Sequence, residues 1–361
     1  MSKRIAILGA GGVGASIAAY LIKEGHDVTL IDQWATHIEK IKNDGLKLTD
    51  TKCEFIVPVN ALHISDMSNL KAQFDVIYLT VKSYDTRWST YAIEPFLKST
   101  GFMLPAQNSL NDEIVANVIG LNRTVGCVTT IDAAVYEPGH VIRLDHMNNE
   151  CFIVGELSGL ITPRVREIVD ELSVFGPSKP TSNIWGVRWS KMIYNCMNNA
   201  LSGIIGDAIF SLNIQENDIC NLIRVAIGRE AVQIAQAIGI ILEPICNIHM
   251  YEFVEAYNMD NIMKLRKKLE MKFKDRYSMT EITKRLGIPN RPSLLQDVNK
   301  GRRTEIEYLN GFIVKKGIEV GIATPMNQAI VNIMKKVEEK QVKPGPSNLN
   351  YFKNYLIDFL P

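Results

Sequence analysis

Lys191, Asn195 and Asn199 fall four residues apart in Trp189–Leu201, a stretch otherwise dominated by Met, Ile, Cys, Ala and Leu. At helical periodicity the three share one face. An ammonium and two amides in one row form a polar stripe that a polar substrate in a cleft could satisfy. On spacing alone two arrangements fit. Either the stripe faces a cleft, where a buried polar group must find partners or cost about 1–3 kcal/mol, or it is the solvated side of an amphipathic helix.

The other chemistry-bearing set lies at the N-terminus. Arg4-Ile5-Ala6-Ile7-Leu8 runs into Gly9-Ala10-Gly11-Gly12-Val13-Gly14, an apolar strand feeding a G-x-G-x-x-G turn and then helical apolar spacing from Ala15 to Leu21. In such a turn Gly9 permits the sharp exit from the strand, Gly11 admits a pyrophosphate to the backbone, and Gly14 lets the helix pack on the sheet. The helix N-terminus starting at Gly12 and Val13 presents unpaired N–H groups to phosphate. Gly25 and the strand Asp27–Asp32 complete a βαβ unit that ends in an acid. The Asp32 carboxylate can accept from the adenosine ribose hydroxyls and repel a 2′-phosphate, which favours NAD over NADP. Lys40 and Lys42 are close enough in sequence to serve a phosphate instead, and a solvated acid after a strand is the plain alternative for Asp32.

These sites need elements to position them. Phe74–Lys82 reads as a buried parallel strand, Gly101–Pro105 as another leading to Gln107-Asn108, and Arg123–Thr130 as a third. Pro138-Gly139 marks a turn between Ala134-Val135-Tyr136 and His140–Leu144, which predicts an antiparallel hairpin finishing the sheet. Strands alternating with helices imply a doubly wound α/β domain of Rossmann type over residues 1–180. Gly176–Pro180 reads as the connection to a helical domain over 181–361, with helices expected at Ile219–Gly239 and Asn258–Arg276. The charged stretch Lys264–Arg285 reads as a solvated helical face, and the tail beyond Lys340 as a loop before a short terminal helix.

With 361 residues, 46% of them apolar, the chain has enough material for two cores. A formal net charge of +1 without an arginine-rich patch argues against a nucleic-acid surface. No apolar run approaches the roughly 20 residues of a membrane span, and the chain enters its first strand without a signal peptide, so the expected location is the cytoplasm. Six cysteines without a C-x-x-C pair, and six histidines without H-x-x-x-H, predict buried thiols and no metal site.

Ser293-Leu294-Leu295-Gln296-Asp297 followed by Arg302–Gly311 resembles the signature of the ketopantoate reductase family, S-M-L-Q-D and then R-x-T-E-I-D-Y-x-N-G. The resemblance extends to the glycine turn, Thr80-Val81-Lys82-Ser83-Tyr84-Asp85, Gln107-Asn108, the W-x-K-x-x-x-N-x-x-x-N of Trp189–Asn199, and Gly321–Pro325, in family order over nearly the whole chain. It implies a Rossmann-type domain followed by an all-α domain like the C-terminal one of 6-phosphogluconate dehydrogenase. It implies that Lys191 is the general acid and that Glu305 holds substrate and orients that acid. Asn195 and Asn199 would line the substrate pocket, Ser293 would contact the substrate carboxylate, and Asn108 and Lys82 would belong to the cofactor cleft. The family reaction reduces 2-dehydropantoate to pantoate, usually with NADPH, and a homodimer is a family-level expectation.

The chain departs from the pattern in three places. Asp32-Gln33-Trp34 stands where the family commonly has a basic residue, Ser109 follows Asn108 where a glycine is usual, and extra length lies between Tyr257 and Pro292 and at the C-terminus. The expected activity is NAD(P)H-dependent reduction of a 2-oxo acid, with 2-dehydropantoate as the leading substrate. Two rival readings are a related enzyme for another 2-oxo acid or an opine-type substrate, and a non-catalytic dinucleotide-binding redox sensor.

Overall fold

The computed structural model describes residues 3–71, 73–145, 150–209, 218–244, 248–276, 281–288 and 291–359. It divides into two compact units, Met1–Ile184 with Thr280–Ile288, and Trp185–Met279 with Pro289–Pro361. All twelve described strands belong to the first unit.

Five parallel strands form the central sheet: β1 (Arg4–Leu8), β2 (Asp27–Asp32), β5 (Asn60–His63), β6 (Phe74–Leu79) and β7 (Leu97–Pro105), in the order β5-β2-β1-β6-β7. Every pairing in it is parallel. These strands are near-continuous apolar runs because both faces are covered. On one face lies α1 (Gly12–Lys23), whose Ala15, Ile17, Ala18, Ala19 and Leu21 are fully buried. On the other, Ala6, Leu8, Ile77, Leu79 and Met103 pack with Ile93 of α3 (Thr86–Ile93) and Val115 of α4 (Asp112–Ile119). The C-terminal strand ends carry the turns that matter here, the usual ligand side of such sheets.

Two smaller sheets were not expected. After α2 (Ala35–Asp44) come β3 (Leu46–Thr49) and β4 (Glu54–Val57); they join β9 (Ala133–Glu137) and β10 (His140–Arg143) in the order β4-β3-β10-β9. The hairpin at Pro138-Gly139 exists, but it does not finish the parallel sheet: its β10 pairs in parallel with β3. Likewise Ser178–Pro180 is no bare connection. It is strand β12, paired with β11 (Phe152–Glu156), which pairs antiparallel with β8 (Val125–Thr129). The chain follows α5 (Pro163–Leu172) into β12 and leaves this unit at Ile184.

Inside the first unit Arg143 is fully buried. Its guanidinium forms a two-point bond with Asp145 (2.9 and 2.8 Å) and donates to the Phe175 carbonyl at 2.7 Å. Bidentate pairing is what makes a buried cation tolerable.

The second unit is helical: α6 (Ile184–Ile205), α7 (Asp218–Ala237), α8 (Glu252–Glu255), α9 (Met259–Arg276), α11 (Ser293–Asn299), α12 (Asn310–Val320), α13 (Pro325–Glu338) and α14 (Lys353–Phe359). The boundary residue Ile184 opens α6. In α9, Ile262, Leu265 and Leu269 are buried while Lys264, Lys267 and Lys268 are exposed, the amphipathic pattern expected of a solvated charged face. Side chains between 270 and 281 lie outside the described residues. The intervening α10 (Glu281–Leu286) groups with the first unit, where Ile282 packs on Ile142 and Leu144 with Ile288 beside it. Cys246 also lies outside the described residues; the other five cysteines are free thiols, four of them buried. Among the described residues no helix is long and apolar enough to cross a membrane.

Candidate active site: a dinucleotide turn and a polar helix face

In the first unit the glycine turn is fixed from below. Gly9 has φ +110, and a Cβ there would come within 2.7 Å of the Thr80 and Val81 backbone. Thr80 Oγ1 donates to the Gly9 carbonyl at 2.7 Å and the Leu8 carbonyl at 3.1 Å. A Cβ on Gly14 would overlap the Gly9 carbonyl oxygen and Thr80 Oγ1, and one on Gly12 would overlap the Ala133 carbonyl of β9. Gly11 is different. Its φ of −70 and ψ of −172 suit any residue, and nothing lies within 4 Å of its missing Cβ.

Gly11 is also the N-cap of α1, and no side chain caps that helix. The first intrahelical bond runs from Ala15 N to the Gly11 carbonyl at 2.9 Å, so the N–H groups of Gly12, Val13 and Gly14 have no partner within the helix. An open backbone beside an uncapped helix N-terminus fits a pyrophosphate. Nothing in the sequence marks Thr80 as the prop of this turn beyond a β-branched hydroxyl residue closing an apolar strand.

Asp32, half-buried at the end of β2, accepts from the Ala10 N–H at 2.5 Å and from the Trp34 N–H at 2.7 Å. It therefore braces the glycine turn from the end of the second strand. Each oxygen keeps a further lone pair for a ribose hydroxyl. Lys40 pairs with Asp44 at 2.5 Å and Lys42 with Glu39 at 2.8 Å, both within α2. The buried ring of His37 stacks on Trp34, centroids 5.0 Å apart, and its Nδ1 accepts the Gly139 N–H at 2.9 Å. Burial holds the His37 imidazole below its usual range, although the Asp32 charge pulls the other way. A neutral ring adds no cation for a 2′-phosphate.

Lys82 and Asn108, both half-buried, lie on two turns stapled together. Gln107 Nε2 donates to the Val81 carbonyl and to Thr86 Oγ1, both at 2.8 Å. Asn111 Nδ2 donates to the Asn108 carbonyl at 2.8 Å and to Ser83 Oγ at 3.1 Å. Asn111, absent from the sequence reading, thus fixes the backbone on either side of the cleft residues.

Ser109 carries two costs at once. Its φ of +69 is left-handed, and its hydroxyl is buried without a hydrogen-bond partner. Left-handed backbone costs a residue with a Cβ about 1–2 kcal/mol, and an unpaired buried hydroxyl about 1–3 kcal/mol. Against these, glycine adds unfolded-state freedom worth about 0.4–1 kcal/mol. Ser109→Gly is therefore expected to stabilise the protein by about 1–4 kcal/mol in denaturant unfolding. A loss of stability would show that Ser109 is not strained.

The second unit holds the remaining candidates. On α6, Lys191 is half-buried while Asn195 (3% exposed) and Asn199 (8%) are buried, so the polar stripe is not a solvated face. Lys191 Nζ lies 5.2 Å from the ring centroid of Tyr194, a contact that favours the ammonium. Asn199 Nδ2 donates to Ser293 Oγ at 3.3 Å, which brings the stripe together with the start of α11. Glu305 is also buried, 6% exposed, and its carbonyl accepts from Tyr308 N (2.9 Å) and Leu309 N (3.1 Å) in a short 3-10 turn, Ile306–Tyr308. A surface acid is excluded for it. No group of three His, Cys, Asp or Glu among the described residues is arranged to hold a metal ion.

Two family models match the chain: ketopantoate reductase PanE/ApbA over residues 5–159, and ketopantoate reductase PanE/ApbA C terminal over residues 183–338. A 2-dehydropantoate 2-reductase of Archaeoglobus fulgidus is 27% identical over 342 residues, 93% of this chain and 98% of its own. Among solved structures, a PanE/ApbA family ketopantoate reductase from Ralstonia eutropha JMP134 superposes with a TM-score of 0.72 at 25% identity, covering 94% of this chain and 99% of that one. A D-mandelate dehydrogenase with NADH and anilino(oxo)acetate reaches 0.76 at 22% identity, covering 93% and 99%, a likeness of fold alone.

Proposed function

The chain belongs to the ketopantoate reductase family, and from that premise we propose that it reduces 2-dehydropantoate to pantoate, with NADH preferred over NADPH. It is an NAD(P)-dependent oxidoreductase acting on a 2-oxo acid. The observation that carries the finer reading is the Asn199–Ser293 bond: it joins the buried Lys191 stripe to the serine that the family resemblance gives to the substrate carboxylate.

When bound, the reduced dihydronicotinamide would supply a hydride to the keto carbon and be oxidised in doing so. The chain's own residues do the rest. Lys191 donates a proton to the keto oxygen as negative charge gathers there. Tyr194 favours the charged ammonium before reaction, and the Glu305 carboxylate, in the place the family resemblance gives it, would do the same. Ser293, Asn195 and Asn199 orient the 2-oxo acid, so that transfer becomes effectively unimolecular. Gly11 and the Gly12, Val13 and Gly14 amides would hold the pyrophosphate, with Lys82 and Asn108 lining the cofactor cleft.

NADH preference rests on Asp32 together with the engaged Lys40 and Lys42 and the uncharged His37. Asp32→Ala is expected to lower the NADH:NADPH ratio of kcat/KM about tenfold, the worth of one charged hydrogen bond. An unchanged ratio would remove Asp32 from cofactor choice. The variant also loses the brace on Ala10 N, so a lower melting temperature accompanies it.

The deciding experiment is steady-state oxidation of NADH and of NADPH with 2-dehydropantoate, beside other 2-oxo acids with and without amino acids. Turnover of 2-dehydropantoate with NADH ahead supports both parts of the reading. Activity confined to another 2-oxo acid would favour a changed pocket, the reading to which Ser109 in place of glycine points.

A further inference from the structure

Asn310 begins α12 and is completely buried. Both hydrogens of its amide are used: Nδ2 donates to the Cys196 carbonyl on α6 at 3.3 Å and to Asn327 Oδ1 at 2.9 Å. Both partners are acceptors, so the amide cannot be flipped. Its Oδ1 is left buried without a partner.

The chain of contacts continues. Asn327 Nδ2 donates to Glu230 Oε2 at 2.7 Å and to the Ile227 carbonyl at 3.3 Å. Glu230 on α7 also accepts the Met326 and Asn327 backbone N–H groups, at 2.8 and 2.9 Å, and so caps α13. Burial pushes the Glu230 carboxyl above its usual range, opposed by these amides. The network spans four helices and terminates on one carbonyl of α6.

That carbonyl belongs to the residue directly after Asn195, between Lys191 and Asn199 on the same helix. At its other end Asn310 lies five residues beyond Glu305, separated by the hydrogen-bonded 3-10 turn. One buried side chain therefore ties the helix bearing Lys191 to the segment bearing Glu305. As a stabilising device it is poor, because the orphaned Oδ1 costs about 1–3 kcal/mol that an apolar side chain of similar shape avoids. What the amide supplies is a fixed rotation and height of α6 relative to Glu305, which packing of apolar side chains sets less tightly.

We propose that Asn310 is a positioning residue that sets the register between Lys191 and Glu305. The proposal rests on the roles given above to those two residues. Displacement of a catalytic group by about 1 Å can cost up to about 100-fold in rate.

The test compares full-length Asn310→Leu and Asn310→Ser with wild type and with Leu265→Ala, a buried truncation on α9 outside the network. The readouts are kcat, KM for 2-dehydropantoate, dinucleotide Kd and melting temperature. Both Asn310 variants are expected to lose about 10–100-fold in kcat with dinucleotide Kd unchanged, and Leu265→Ala to lose melting temperature without that loss. Asn310→Leu removes the donors while keeping an apolar fill, so its kcat should fall more than its stability. If it fails to fold, Asn310→Ser carries the comparison. Asn310→Ser with wild-type kcat overturns the proposal, as does an equal kcat loss in Leu265→Ala. Full turnover in Lys191→Ala would place the failure in the assigned roles themselves rather than in Asn310.

Discussion

Lys191→Ala is expected to lower kcat by about 10²–10⁴-fold, the usual worth of a positioned general acid, while dinucleotide Kd stays at its wild-type value. The ammonium shares one face of its helix with Asn195 and Asn199, both buried, and the Tyr194 ring 5.2 Å away favours its charge. Hydride arrival turns a neutral ketone into an alkoxide, so the interaction with Lys191 is far stronger in the transition state than in the ground state. Such a contact appears in kcat rather than in ground-state binding. Lys191→Arg sharpens the test. It keeps a positive charge but holds its proton too tightly to transfer it, so it should recover part of the electrostatic share and none of the proton transfer. Weakened dinucleotide binding with normal kcat in Lys191→Ala would remove Lys191 from the chemistry.

The second large effect separates two glycines three residues apart. Gly14→Ala drives a methyl group into the Gly9 carbonyl and Thr80 Oγ1, which are held together by a 2.7 Å bond and cannot both retreat. The turn must open, at a cost of about 3 kcal/mol or more, and a denaturant midpoint well below wild type is expected even without ligand. Gly11→Ala adds the same methyl where no atom beyond its own chain neighbours lies within 4 Å and the backbone is already extended. Its unfolding curve should overlay that of the wild type. Its dinucleotide affinity should fall tenfold or more, about 1.4 kcal/mol, because the methyl occupies the approach of the pyrophosphate to the backbone. Gly11→Ala binding NADH and NADPH normally would mean that no pyrophosphate lies on this turn.

Much was legible in the sequence wherever the cause is local. The 3.6-residue period predicts helices at Ile219–Gly239 and Asn258–Arg276, and the structure has them at Asp218–Ala237 and Met259–Arg276. The glycine spacing that follows an apolar strand marks the first turn because backbone sterics act over a few residues. The same holds for the Lys191–Asn195–Asn199 stripe, although its sequence fits a solvated face as well as a buried one.

Burial of that stripe was decided only in three dimensions, as were the partners of each strand. The hairpin at Pro138-Gly139 is readable from its turn, yet its parallel pairing with Leu46–Thr49 joins segments more than 90 residues apart, which no local signal sets. Ser178–Pro180 has the composition of a linker and becomes a strand because β11 offers it an unpaired edge. Asn310 and Cys196 are 114 residues apart, and nothing in either local sequence reveals the bond. Spacing along the chain sets backbone preference and which side chains share a face, but the pairing of buried polar groups depends on distances that exist only after helices from separate parts of the chain have packed.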